Sequence, residues 1–160
     1  MKTQEEIKEL FEQAKNGILS EDFQDWSLCD ENGWTIAHHA ASFNNLPENF
    51  QDLGLADNSG TTVAHIVAGH RYLPKNFNLW SLADEKGCTV AHIAAHFGYL
   101  PDDFNQWELS DEEGWTVAHE AALWSSLPKD FNLWELKDKY GCTVKDAAQE
   151  NDNSPKDFKD

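Results

Sequence analysis

Basic residues are scarce in this chain. Twelve Lys and Arg face 29 Asp and Glu among 160 residues, a formal charge of −17. Phosphate groups are gripped by Lys and Arg, so this balance argues against direct binding to nucleic acid or to an anionic membrane. It favours a partner protein with a basic surface, with plain solvation of an acidic face as the alternative. Long apolar runs are missing too. Nothing approaches the roughly 18 residues of a membrane span, and MKTQEEIKELFEQ lacks the apolar core of a signal peptide. Cys29, Cys88 and Cys142 are an odd set with no C-x-x-C, which reads as a reduced, cytoplasmic protein.

The familiar marks of catalysis are equally absent. There is no G-x-S-x-G, no P-loop and no G-x-G-x-x-G. His119-Glu120 starts like H-E-x-x-H but continues Ala121, Ala122, Leu123. The recurring D-x-x-G lacks the alternating acidic ligands and closing Glu of a calcium loop. The expectation is a protein without catalysis, cofactor or metal. An enzyme would need a site invisible to motifs, since no nucleophile is set beside a base.

What the chain does have is a repeat. Leu19, Leu46, Leu73, Leu100 and Leu127 are each 27 residues apart, and Phe23, Phe50, Phe77, Phe104 and Phe131 keep the same step. Asp30, Asp57, Asp84, Asp111 and Asp138 each open a D-x-x-G-x-T stretch. A fixed period in the range of roughly 20–50 residues marks stacked repeats, each burying its face on its neighbours. With 40% hydrophobic and 12% aromatic residues the composition supports a packed core. The divisions are 1–18, then repeats 19–45, 46–72, 73–99, 100–126 and 127–153, and a partial unit 154–160 carrying Pro155 and Phe158.

Residues 1–18 predict a capping helix. Thr3 with Glu6 makes a capping box, Ile7, Leu10, Phe11 and Ala14 share one face, and Gly17 is a stop. Within each repeat, L-P-x-x-F-x-x-W-x-L predicts a short first helix of about two turns, with proline at its first position. D-x-x-G predicts a turn whose glycine takes a positive φ and whose Asp ties its own backbone. T-[VI]-A-H-x-A-A predicts a second helix capped by threonine, with alanines that admit close neighbours. In the last repeat Lys145 and Asp146 stand where the others read A-H, followed by QENDNS, as an exposed terminal cap requires.

The motif D-x-x-G-x-T-x-x-H-x-A-A, present across residues 19–153, resembles the ankyrin repeat. It departs from that family in reading T-V-A-H or T-I-A-H for T-P-L-H, and in having 27 residues rather than about 33. The resemblance implies an all-α, right-handed helical solenoid with truncated outer helices, an N-terminal capping helix and little or no β-hairpin. A leucine-rich repeat fits the period, but its Asn ladder is missing and T-V-A-H-I-A-A is helical in composition. The resemblance also implies a structural ladder. His38, His65, His92 and His119 would each bond the Thr of their own repeat (Thr35, Thr62, Thr89, Thr116) and a neighbouring backbone carbonyl. His92 and His96 are placed to chelate, but no third ligand accompanies them.

Positions the repeat leaves open carry the functional expectation. The slot between Gly and Thr holds Trp34, Thr61, Cys88, Trp115 and Cys142, and in an ankyrin-like stack it lies at the loop tip. Tryptophan is enriched in binding hot spots, though it also serves as flat extra packing over a neighbour. Trp26, Trp80, Trp107 and Trp134 read as core, since Leu53 replaces them in one repeat. Trp124 shares an aromatic slot with Phe43, His70 and Phe97. The Trp34 and Trp115 repeats are the most acidic: 19–45 has five acids and no base, 100–126 seven acids and no base, while 73–99 balances two against two. Trp115 with Glu112, Glu113 and Glu120, and Trp34 with Asp30 and Glu31, are the expected contact patches, joined by Trp124. The expected role is binding a partner protein with a basic surface, inhibiting a nucleic-acid-handling protein as an acidic mimic of the anti-defence type. The alternative is a passive adaptor or scaffold. A monomer is the expected state, with a weak dimer as the alternative.

Overall fold

In a computed structural model the chain is all-α, and the structure describes residues 2–71, 73–125 and 127–150. Its helices are α1 (Gln4–Asn16), α2 (Ile36–Ser42), α3 (Val63–Gly69), α4 (Val90–His96), α5 (Val117–Trp124) and α6 (Val144–Glu150). The partial unit 154–160 and the end of the last repeat lie outside the described residues. Two compact units are present, the first ending at Glu85 and the second beginning at Lys86. In the first, α1 packs on α2 and α2 on α3. In the second, α4 packs on α5 and α5 on α6. Among the described residues no helix is long and apolar enough to cross a membrane.

The first unit begins with α1, whose Thr3–Glu6 capping box satisfies orphan N–H groups at its start. Gly17 ends it at φ +66, and Asn45 takes up the last turn by donating to Ala14 O and Lys15 O at 3.2 and 2.6 Å. The face bearing Ile7, Leu10, Phe11 and Ala14 closes over Ile36 and Ala40 of α2.

Helices α2 to α6 are only seven or eight residues long. That is too short to persist alone, since an isolated helix needs about 12–15 residues. Capping and close packing hold them. Their paired alanines, such as Ala94 and Ala95 or Ala121 and Ala122, are buried to 1% exposure or less.

One expectation is overturned. L-P-x-x-F-x-x-W-x-L does not form a helix but two consecutive turns. Phe77 N–H bonds Pro74 O at 2.9 Å and Leu82 N–H bonds Leu79 O at 3.2 Å, and the i to i+3 pattern goes no further. The stretch is short, and Asn76, Asn78 and Ser81 are weak helix formers. The aromatic pairing survives without the helix. Phe23 and Trp26, Phe77 and Trp80, Phe104 and Trp107, and Phe131 and Trp134 meet edge to face at 4.8 to 5.1 Å. All four tryptophans are half-buried, Trp26, Trp107 and Trp134 of them packed against the cores.

The D-x-x-G turns repeat one geometry. Asp111 Oδ1 accepts from the N–H groups of Glu113 and Trp115 at 2.9 Å each, and Asp111 N–H donates to Trp115 O at 3.0 Å. Asp30, Asp57 and Asp138 make the same loop. Isolated antiparallel bridges such as Ser110 to Thr116 close the turn bases, and no strand occurs among the described residues. Successive turns are joined by main-chain bonds: Asn58 N–H to Asn32 O in the first unit, Lys139 N–H to Glu113 O in the second.

Candidate functional site

Buried histidines hold the main chain and the ring of Trp115 in place. Each follows a helix-capping threonine. Thr116 N–H donates to His119 Nδ1 at 3.2 Å, and the Thr116 hydroxyl lies 2.7 Å from the same nitrogen. With Nδ1 accepting, Nε2 carries the proton and donates to Cys142 O at 3.1 Å. His92 donates likewise to Trp115 O at 3.0 Å, and His38 to Thr61 O at 3.0 Å. His65 meets Thr62 through Nδ1 at 2.7 Å. These rings are 0 to 4% exposed. Burial depresses the pKa of His38 and His119 below the ordinary histidine value, against the carbonyl bonds to Thr61 and Cys142 that pull it up. With both ring nitrogens of His38, His92 and His119 engaged, each ring bolts its own helix to the following turn. No group of three or more metal-ligating side chains occurs among the described residues.

In the last described repeat Asp146 stands in the histidine slot. Its carboxylate accepts from Thr143 N–H at 2.8 Å and from the Thr143 hydroxyl at 2.6 Å, so the cap is kept without the reach to another turn.

Trp115 lies over the His119 ring, centroids 4.8 Å apart and planes inclined 32°. It is half-buried, so the loop-tip tryptophan is not a free prong. Its backbone is pinned by Asp111 and His92, and its indole N–H donates to Glu120 Oε2 at 2.7 Å. The other oxygen of Glu120 lies 2.8 Å from His96 Nδ1. His96 packs against Phe97 at 4.8 Å and against Trp124 at 4.9 Å. Trp124 is 54% exposed and Phe97 39%. The second unit therefore joins Trp115, Glu120 and Trp124 through His96. Glu112 and Glu113 stand exposed on the turn before Trp115, and Glu113 Oε2 accepts the hydroxyl of Tyr140 at 2.6 Å. That bond, with the charge of Glu113, holds the Tyr140 phenol above its ordinary pKa.

The first unit uses the same slots with other residues. Trp34 is half-buried over His38 at 5.8 Å and meets His39 edge-on at 5.3 Å. Its indole donates to Asp57 Oδ2 at 2.8 Å, not to Asp30 or Glu31. Burial alone would raise the Asp57 pKa, but bonds from Ser59, Thr61 and Trp34 together hold it low. Asp30 Oδ2 stands 3.9 Å from His39 Nε2, which is buried and lacks a hydrogen-bond partner. A groove of about 880 Å³ opens there between α1 and α2, lined among others by Ile7, Phe11, Lys15, Glu31 and His39.

His96 and His39 carry more of this arrangement than the sequence suggested. Position 120 shares its repeat slot with 39, five residues after the tryptophan, and that register was the available signal. The pairing of 96 with 120 spans 24 residues and needs two helices side by side.

No protein-family model and no curated protein matches the chain. Among solved structures, the fold is similar to a chain of the complex between a predatory endopeptidase from Bdellovibrio bacteriovorus and an immunity protein. The TM-score is 0.65 at 22% identity, over 90% of this chain and 92% of that one. At that identity the likeness is one of fold.

Proposed function

We propose that this chain is a non-catalytic, inhibitor-like module that binds a partner protein with a basic surface through its acidic, tryptophan-bearing face. One observation carries the reading. Glu120 takes the N–H groups of Trp115 and His96 and builds an ordered cluster in the stretch 100–126, which has seven acids and no base, with exposed Trp124 at its edge. Pre-ordered aromatic side chains lose little entropy on binding, and surrounding carboxylates steer a cationic surface toward them. The ankyrin resemblance belongs to the same reading, supported by turn-and-helix units bolted by Thr and His. A like fold in an endopeptidase–immunity complex supports an enzyme as the partner. Mimicry of a polyanion rests on the charge alone.

The test is capture from the native host on the immobilised full chain, read by mass spectrometry and eluted with a salt gradient. A basic partner released by moderate salt, and lost by the double variant Trp34→Ala/Trp115→Ala that still melts cooperatively, is expected. Retention of affinity by that folded variant overturns the reading. Binding indifferent to salt favours the passive adaptor instead.

A further inference from the structure

Resting on that reading, we propose that the exposed edge of the second unit's cluster is a seat for one arginine side chain of the partner. The Glu120 carboxylate can only accept at its 2.8 Å contact with His96, so His96 Nδ1 carries the proton between them. In the neutral ring Nε2 then holds the lone pair, and it has no hydrogen-bond partner among the described residues. The His96 side chain is 40% exposed, and in the neutral form of the ring Nε2 is its acceptor. The indole of Trp124 stands 4.9 Å from the His96 ring and is 54% exposed, and the Phe97 ring meets His96 at 4.8 Å. Behind both is the negative charge of Glu120, and no Lys or Arg occurs anywhere in 100–126 to occupy the place.

An acceptor next to an open aromatic face, backed by a carboxylate, fits a flat cation with several N–H donors. Guanidinium stacks on tryptophan while one of its N–H groups reaches the imidazole. A lysine ammonium is a strongly hydrated point charge and gains less from the indole face. An acidic or uncharged segment gains nothing from Glu120.

The experiment uses the isotope-labelled full chain and short capped peptides Gly-Ser-X-Ser-Gly, with X arginine, lysine or citrulline, followed by NMR shifts of the Trp124 indole. The arginine peptide is expected to bind about three- to tenfold more tightly than the other two. Trp124→Ala and His96→Phe are each expected to lose that margin, the second keeping a stacking ring but no acceptor. Both positions are partly exposed, and a thermal melt checks the fold. Equal binding of arginine and lysine peptides, no shift at millimolar arginine peptide, or full binding by folded Trp124→Ala overturns the seat. If salt still releases the captured partner in that event, the acidic-face reading stands and the seat alone falls.

Discussion

The indole N–H of Trp115 donates to Glu120 Oε2 at 2.7 Å, tying the last residue of a turn to the helix that follows it. Since Glu120 also holds His96 on the neighbouring helix, one carboxylate sets two rings. Glu120→Ala should free both. We expect a red-shifted, more quenchable tryptophan emission and a loss of about 1–2 kcal/mol in urea unfolding. An unchanged spectrum and midpoint would remove Glu120 from its organising place.

His119 bolts Thr116 to the carbonyl of Cys142 from within the core. His119→Ala leaves the buried Thr116 N–H without its acceptor, removes one of the two donors to Cys142 O and opens a hole. The expected cost is about 2–4 kcal/mol. His96→Ala, at a half-exposed ring, should cost less than about 1 kcal/mol. Comparable losses at the two positions would contradict the burial argument.

Acid should weaken the fold in a defined window. His38, His39 and His119 all have folded pKa values below the ordinary 6.5, in each case because burial disfavours the charged ring. The unfolded chain binds these protons first. Their stabilising contribution is complete above about pH 6.5 and is lost as the pH falls toward the folded values. Urea midpoints taken from pH 7.5 down to pH 5 should decline. A flat profile through pH 6.5 would mean that the rings take up protons alike in the folded and unfolded chain.

Gly114 precedes Trp115 at φ +77. A β-carbon there would stand 3.1 Å from Lys139 N and 3.3 Å from Asp138 Cα of the next turn, both backbone atoms that cannot swing away. Gly114→Ala therefore combines left-handed strain with a clash, and should cost more than about 1 kcal/mol while disturbing Trp115 emission. Gly54→Ala, where nothing lies within 4 Å and φ is not positive, is the control expected to change little.

Much of this was legible in the residues. Thr3 and Glu6 cap α1, Gly17 ends it, and Asp111 ties its own turn as the D-x-x-G pattern implied. Such features involve partners no more than four residues apart, so composition at short spacing is enough to specify them. In the L-P-x-x-F-x-x-W-x-L stretch the four-then-three spacing of Leu, Phe and Trp suits a helix and a pair of turns alike, so it does not tell them apart.

The sequence by itself determined the period, the caps, the turns and the concentration of acid around Trp34 and Trp115. Only the tertiary structure decided which of those tryptophans' atoms are already taken, and by whom. Trp34 turns to Asp57 and Trp115 to Glu120, although both follow the same D-x-x-G. The choice depends on what occupies the slot five residues on, His39 in one case and Glu120 in the other, and on which neighbouring element carries a carboxylate within reach. Exposure likewise follows from packing: Trp107 is half-buried by its edge contacts with Phe104 and Phe131, while Trp124 is left 54% open at the end of α5.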